Sequence, residues 1–141
     1  MKVKIGEIIN VYPVVMKASF AKMSGKAKLQ MVHIIKALKP YFDGFTSLRE
    51  EAIKKFADDD YKAAIEKVNK PNDYPKGEVD DALKIVRTSD EAFARFVTEE
   101  TEKEVEIEIE RLSEDDFATL LEGSKDLTPN ELVMLSELIE L

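Results

Sequence analysis

Five glutamates at alternate positions constrain this chain more than any other feature: Glu102, Glu104, Glu106, Glu108 and Glu110, with Val105, Ile107 and Ile109 between them. Successive side chains on a strand point to opposite faces, so the run reads as a half-buried β-strand over about 103–111. One of its faces is apolar and the other is a row of carboxylates. The start of the chain has the matching pattern, with Lys2 and Lys4 alternating with Met1, Val3 and Ile5. Pairing a basic strand with an acidic one sets opposite charges across the ladder, each pair a modest favourable contribution. The two ends of the chain are therefore expected to meet in one small antiparallel or mixed sheet.

The rest of the sequence predicts helix. Ile8, Ile9, Tyr12, Val15, Met16, Ser19 and Phe20 recur at helical spacing, interrupted by Pro13. Proline is comfortable in the first turn of a helix and costly inside it, so the spacing predicts a turn over 7–11 and a helix over about 12–22. Beyond Ser24, a plausible cap, the residues Ala27, Met31, Ile34, Leu38, Tyr41, Phe45, Leu48 and Ala52 alternate spacings of 4 and 3, with Val32, Ile35 and Phe42 widening the stripe. That heptad seam predicts one long helix over about 25–57, kinked where Pro40 removes a hydrogen bond. Such a seam lies across its own domain's core or zips against a second chain.

Asp58, Asp59 and Asp60 open a short acid-capped helix through Tyr61, Ala64, Ile65 and Val68. Pro71, Asn72, Asp73, Pro75 and Gly77 mark a loop. Residues 78–87 fit helix or strand, and Ser89 with Asp90 and Glu91 signals a new helix start before Phe93 and Phe96. Ser113 with Asp116 resembles a capping box for a helix carrying Phe117, Leu120 and Leu121, with Gly123 as its stop. Thr128-Pro129-Asn130-Glu131 combines a cap, a proline at the first helical position and an acid at the third. Leu132, Leu135, Leu138 and Ile139 line the helix it opens. The expected fold is mainly α with a small sheet (α+β), and the length of 141 residues fits a single domain.

Composition removes several kinds of chemistry. The chain has no cysteine, which rules out disulfides, thiolate catalysis and cysteine-based zinc sites. No apolar run approaches the roughly 20 residues that span a bilayer, and the start shows no signal-peptide pattern, so a cytoplasmic protein is expected. Through Ala57, 11 basic residues face four acids, a balance of +7, whereas 10 bases and 25 acids follow it, a balance of −15. Both halves are rich in periodic apolar residues, so neither reads as a charged tail. The basic stretch Lys22, Lys26, Lys28, Lys36 and Lys39 lacks the Gly-x4-Gly-Lys-Ser/Thr spacing of a phosphate loop and the interleaved aromatics of single-strand binders. Neither nucleic-acid binding nor a cofactor is expected.

Catalytic candidates are thin. His33 is the single histidine, without a second histidine or a cysteine to share a zinc ion. The glutamate row could collect a hard cation, but no loop supplies the remaining oxygen ligands. Asp58–Asp60 and Glu114–Asp116 each begin a helix, where the dipole accounts for them. The set of nucleophile, base and stabiliser cannot be filled, so no enzyme is expected.

The order of segments is nevertheless distinctive. It includes the Lys-x-Lys strand, a helix with internal Pro13, Ser24-Gly25-Lys26-Ala27 and Ile35-Lys36-Ala37-Leu38-Lys39-Pro40. It continues with Leu48-Arg49-Glu50-Glu51-Ala52-Ile53-Lys54-Lys55-Phe56, Glu104-Val105-Glu106-Ile107-Glu108 and Leu127-Thr128-Pro129-Asn130-Glu131-Leu132. In this order the chain resembles a family of small proteins, of no established activity, encoded by tailed bacteriophages and prophages. The resemblance implies a bacterial host cytoplasm, or a virion, as the setting. The expected role is that of an accessory protein for assembly or phage growth, working through protein contacts with copies of itself or with phage or host proteins. The candidate contact surface is Ile34, Leu38, Tyr41, Phe45 and Leu48 on the long helix with Leu135 and Leu138 on the last. The alternative is an acidic modulator of a host nucleic-acid enzyme, using Glu102, Glu104, Glu106, Glu108 and Glu110 as a decoy for DNA.

Overall fold

The computed structural model describes residues 1–139, with side chains through Ser136. Among them are two short strands, β1 (Lys2–Lys4) and β2 (Glu104–Glu106), and six α-helices. The helices are α1 (Ile5–Lys17), α2 (Gly25–Phe56), α3 (Asp59–Asn69), α4 (Lys76–Glu102), α5 (Glu114–Gly123) and α6 (Pro129–Ile139), with a 3-10 turn at Pro71–Asp73. The fold is mainly helical with a two-stranded antiparallel sheet, as the sequence leads one to expect. The chain divides into two compact units: Met1–Phe45 with the chain from Thr101 onward (unit 1), and Thr46–Glu100 (unit 2).

In unit 1 the two strands meet in the register Lys2↔Glu106, Val3↔Val105 and Lys4↔Glu104. Backbone bonds flank the ladder on both sides, from Ile5 N–H to Lys103 O (2.9 Å) and from Ile107 N–H to Met1 O (3.0 Å). β2 is shorter than the predicted strand, since β1 gives way to α1 at Ile5 and the last rung is Met1–Ile107. The alternation outlives the ladder: Val105, Ile107 and Ile109 face inward and all five glutamates are exposed.

Helix α1 starts at Ile5, not near residue 12, and takes Pro13 into its interior. A proline there costs about 3 kcal/mol in an isolated helix. Burial of Ile8, Val11, Tyr12, Val14 and Val15 outweighs it, at about 1.5–3 kcal/mol for each large apolar side chain. Pro13 itself is exposed, so the carbonyl deprived of its donor lies on the solvent side of the helix. The Lys4 N–H at the start of α1 donates to Glu7 Oε2 at 3.1 Å.

The expected N-cap bonds form, with the reciprocal pair of a capping box seen at Thr128 and Glu131. Ser24 Oγ accepts from Ala27 N–H (3.1 Å), Ser113 Oγ from Asp116 N–H (3.1 Å), and Thr128 Oγ1 from Glu131 N–H (3.3 Å), with Glu131 Oε1 accepting from Thr128 N–H in return (3.1 Å). Gly123 does not stop α5 through a left-handed turn, because no glycine has positive φ among the described residues. Its missing side chain serves packing: a Cβ there would stand 3.1 Å from the Ser19 carbonyl oxygen. The adjacent Ser124, buried, accepts from Ser19 N–H at 3.0 Å and so ties the α1–α2 connection to the end of α5. The core of unit 1 gathers Val3, Ile8, Val15, Met31, Ile34, Leu38, Ile107, Leu112, Leu120 and Leu135.

In unit 2 the C-terminal part of α2, then α3 and α4, form the helical layer. Asp58 caps α3, its carboxylate accepting from Tyr61 N–H at 2.9 Å. Residues 78–87 are helical, and the start expected at Ser89 does not occur, because α4 runs unbroken from Lys76 to Glu102. Val79, Ala82, Val86, Ser89, Phe93 and Phe96 follow one helical stripe, all buried or half-buried, in which Ser89 is simply a small member. No proline or glycine falls between Glu78 and Glu102 to break it.

Candidate functional site

The residues proposed as a contact surface are mostly consumed by the chain's own core. Ile34, Leu38 and Leu135 have no exposed surface, and Phe45 is buried. Tyr41 is half-buried and packs against the unit 1 core. Only Leu48 of that set is exposed, and the side chain of Leu138 lies outside the described residues. The first half of the heptad seam thus faces inward. A stripe of large apolar side chains fills whatever interior the fold brings against it, and here α1, α5 and α6 bring one.

The glutamate face is exposed as a whole, but it is not bare of cations. Lys4 Nζ lies 2.9 Å from Glu102 Oε2, and the Met1 ammonium lies 2.7 Å from Glu106 Oε1. The carboxylate of Glu102 accepts from Lys4 and raises the lysine's pKa above its ordinary value, first through that hydrogen bond and then through charge attraction. Glu102 and Glu106 are therefore already matched by cations.

Exposed large apolar side chains occur in both units, with Met16, Leu29, Val32 and Val133 in unit 1, but unit 2 differs in burying none of its large ones. The buried apolar residues of unit 2 are Ala52, Ala64 and Ala82, three alanines, and every larger apolar side chain is half-buried or exposed. Leu48 and Ile53 on α2 and Leu83 and Ile85 on α4 are 40–43% exposed. At the centre Phe56 meets Phe93 edge-on (centroids 6.1 Å apart, planes at 70°) and Phe96 at 6.4 Å. These are separations at which aromatic pairs attract.

Two hollows flank Phe56. The larger, about 260 Å³, is lined by Ile53, Phe56, Ala57, Tyr61 and Phe93 with Ser89 and Asp90 at its polar side. The smaller, about 180 Å³, lies among Leu48, Ala52, Lys55, Phe56 and Phe96. The Tyr61 hydroxyl donates to Asp90 Oδ1 at 2.9 Å, and that bond to the carboxylate pushes the phenol pKa up. Tyr61 is therefore a neutral donor whose proton is already committed. Ser89 has no histidine beside it in this lining, so the hollow offers shape and apolar surface more than reactivity.

A third depression, about 220 Å³, lies between α3 and α4, floored by Ala63, Ala64, Ala82 and Ile85 and rimmed by Asp60, Glu78, Asp81 and Lys67. Among the described residues no group of three His, Cys, Asp or Glu could hold a metal ion, and no helix is long and apolar enough to cross a membrane. His33 is exposed on α2. Apart from Leu48, sequence reasoning passed over unit 2 because its signal is a deficit: helices rich in alanine and charge, with bulky residues spaced too thinly to close a core. The chain matches no family model, no curated protein and no solved structure.

Proposed function

We propose that this chain is a non-catalytic accessory protein of the phage or prophage type that works through protein–protein contacts, with unit 2 as the contact-bearing part. The single observation that carries the contact reading is the incomplete burial of unit 2, where every large apolar side chain keeps exposed surface while the buried positions hold alanine. Exposed apolar patches with polar rims are where protein partners bind. The phage setting rests on the ordered resemblance of the segments. The partner is a further copy of the chain or a phage or host protein.

The DNA-decoy alternative draws support from the exposure of all five edge glutamates. The pairing of Glu102 with Lys4 and of Glu106 with the Met1 ammonium weakens it.

The test is capture from prophage-induced lysate with two baits, the native chain and Leu48→Ser/Ile53→Ser, whose altered positions are exposed. A stoichiometric protein retained at high salt by the first bait and lost from the second is the expected result. Equal capture by both baits, or capture only of a nucleic-acid enzyme released by salt, contradicts it.

A further inference from the structure

Helix α2 carries two faces of opposite character over residues 25–42. At 100° per residue, the buried Ala27, Met31, Ile34 and Leu38 gather on one side, and Leu29, Val32 and Lys36 fall on the other. Leu29 is 55% and Val32 40% exposed. Around them stand Lys26, Lys28, His33 and Lys39, and this stretch contains no aspartate or glutamate. Among the described residues its ion pair is Lys39–Asp43, at 3.5 Å.

Nothing in the stability of the helix explains this face. Lys26 and Lys28 sit in its first turns, at the positive end of the dipole, where cations are unfavourable. Leu29 and Val32 leave apolar surface in water. Both costs are relieved by the same kind of partner, one that offers carboxylates around an apolar seat.

The chain contains such a seat. The hollow between α3 and α4 has Asp60, Glu78 and Asp81 around Ala64, Ala82 and Ile85; three acids outnumber its one cation, Lys67, whose Nζ lies over the Tyr74 ring at 5.8 Å. Its alanine floor lets a helix approach closely, as a ridge enters a groove. The glutamate edge is a poorer match, because Val105, Ile107 and Ile109 turn inward and leave it no apolar surface to cover Leu29 and Val32.

We infer that the outward face of α2 in one copy docks into the α3–α4 hollow of a second copy, a helix-in-groove contact guided by complementary charge. The inference rests on the protein-contact reading and names the partner as a further copy of this chain. The two surfaces differ, and each copy has one of each to offer: used reciprocally they close a two-fold dimer, and used head-to-tail they close a ring or extend a filament.

Sedimentation velocity of the 141-residue chain over a concentration series, at low and high salt, tests this. The native chain should self-associate at low salt and dissociate at high salt. Lys26→Glu/Lys28→Glu/Lys36→Glu and Asp60→Lys/Asp81→Lys change exposed side chains, and circular dichroism checks that each variant keeps its helices. Each should be monomeric alone, and an equimolar mixture should recover association, because mixing restores opposite charge at every contact. Leu29→Ser, which alters no charge, should weaken association on its own. A native chain that stays monomeric, association that survives both reversals, or a mixture that fails to recover overturns the inference. Association that survives both reversals but is lost in Leu48→Ser/Ile53→Ser does so while leaving the contact reading intact.

Discussion

Units 1 and 2 use helix in opposite ways. Unit 1 closes a core around side chains of full size: Ile8, Met31, Ile34, Leu38, Leu112, Leu120 and Leu135 are each less than 2% exposed. Unit 2, built from helices of similar regularity, closes only on Ala52, Ala64 and Ala82 and leaves Leu48, Ile53, Leu83 and Ile85 at its surface. Burying a leucine or isoleucine is worth about 1.5–3 kcal/mol and burying an alanine much less. The difference therefore separates a core of large buried side chains from a layer in which every large apolar side chain keeps part of its surface in solvent. Helix alone does not make a core; the size of the residue at each inward position does.

Truncation in each unit gives the largest expected contrast. Leu120→Ala or Ile34→Ala should lower the unfolding free energy by about 2–5 kcal/mol, through lost burial and a residual cavity. Ile53→Ala or Ile85→Ala, at positions 40–43% exposed, should cost about 1 kcal/mol or less. Denaturant titration of the four variants measures this, and equal losses in both units would erase the distinction.

Next in size is the polar tie inside unit 1. Ser124→Ala leaves the Ser19 N–H without its 3.0 Å acceptor in a partly buried site, at an expected cost of about 1–3 kcal/mol. Gly123→Ala should add to the damage beside it, since the new Cβ meets the Ser19 carbonyl at 3.1 Å. A double-mutant cycle on the two positions should therefore show non-additivity.

The smallest effects are in pH dependence, and they differ between units. In unit 1, Lys17 donates to Glu131 at 3.0 Å and Thr128 N–H adds a second bond, holding the Glu131 carboxyl below its ordinary pKa. A depressed folded pKa contributes stability above the unfolded carboxylate value, and that contribution is lost as pH falls through the folded one. Glu131→Gln should therefore flatten the acid limb of the stability profile. In unit 2 the raised pKa of Tyr61 acts at the other end: its contribution is present below the ordinary tyrosine value and lost as pH rises through the folded one. Tyr61→Phe should flatten the alkaline limb, on which the raised pKa of Lys4 also gives unit 1 a step. Thermal melts across the pH range read all three.

Much of unit 1 was legible in the sequence because its signals are local or strictly periodic. The Lys-x-Lys and Glu-x-Glu alternations predicted the pairing now seen between β1 and β2. Ser113 and Thr128 marked helix starts through capping chemistry that needs only three or four residues. Pro13 misled because intrinsic propensity counts its cost but not the five buried neighbours that outweigh it. Ser89 misled in the opposite sense: Ser-Asp-Glu has the chemistry of a helix start, yet in α4 the serine occupies a small position on a continuous stripe. The contact surface was the hardest to see. The seam through Ile34 and Leu38 looks the same whether its cover comes from the same chain or another, and only the fold shows that the chain covers it itself.

Native-state hydrogen exchange, residue by residue, tests the central claim most directly. The account predicts that amides of α3, of α4 and of the C-terminal part of α2 exchange through openings of lower free energy than those of α1, α5 and the N-terminal part of α2, so that protection changes along α2 itself. A single free energy of opening shared by both units would contradict it.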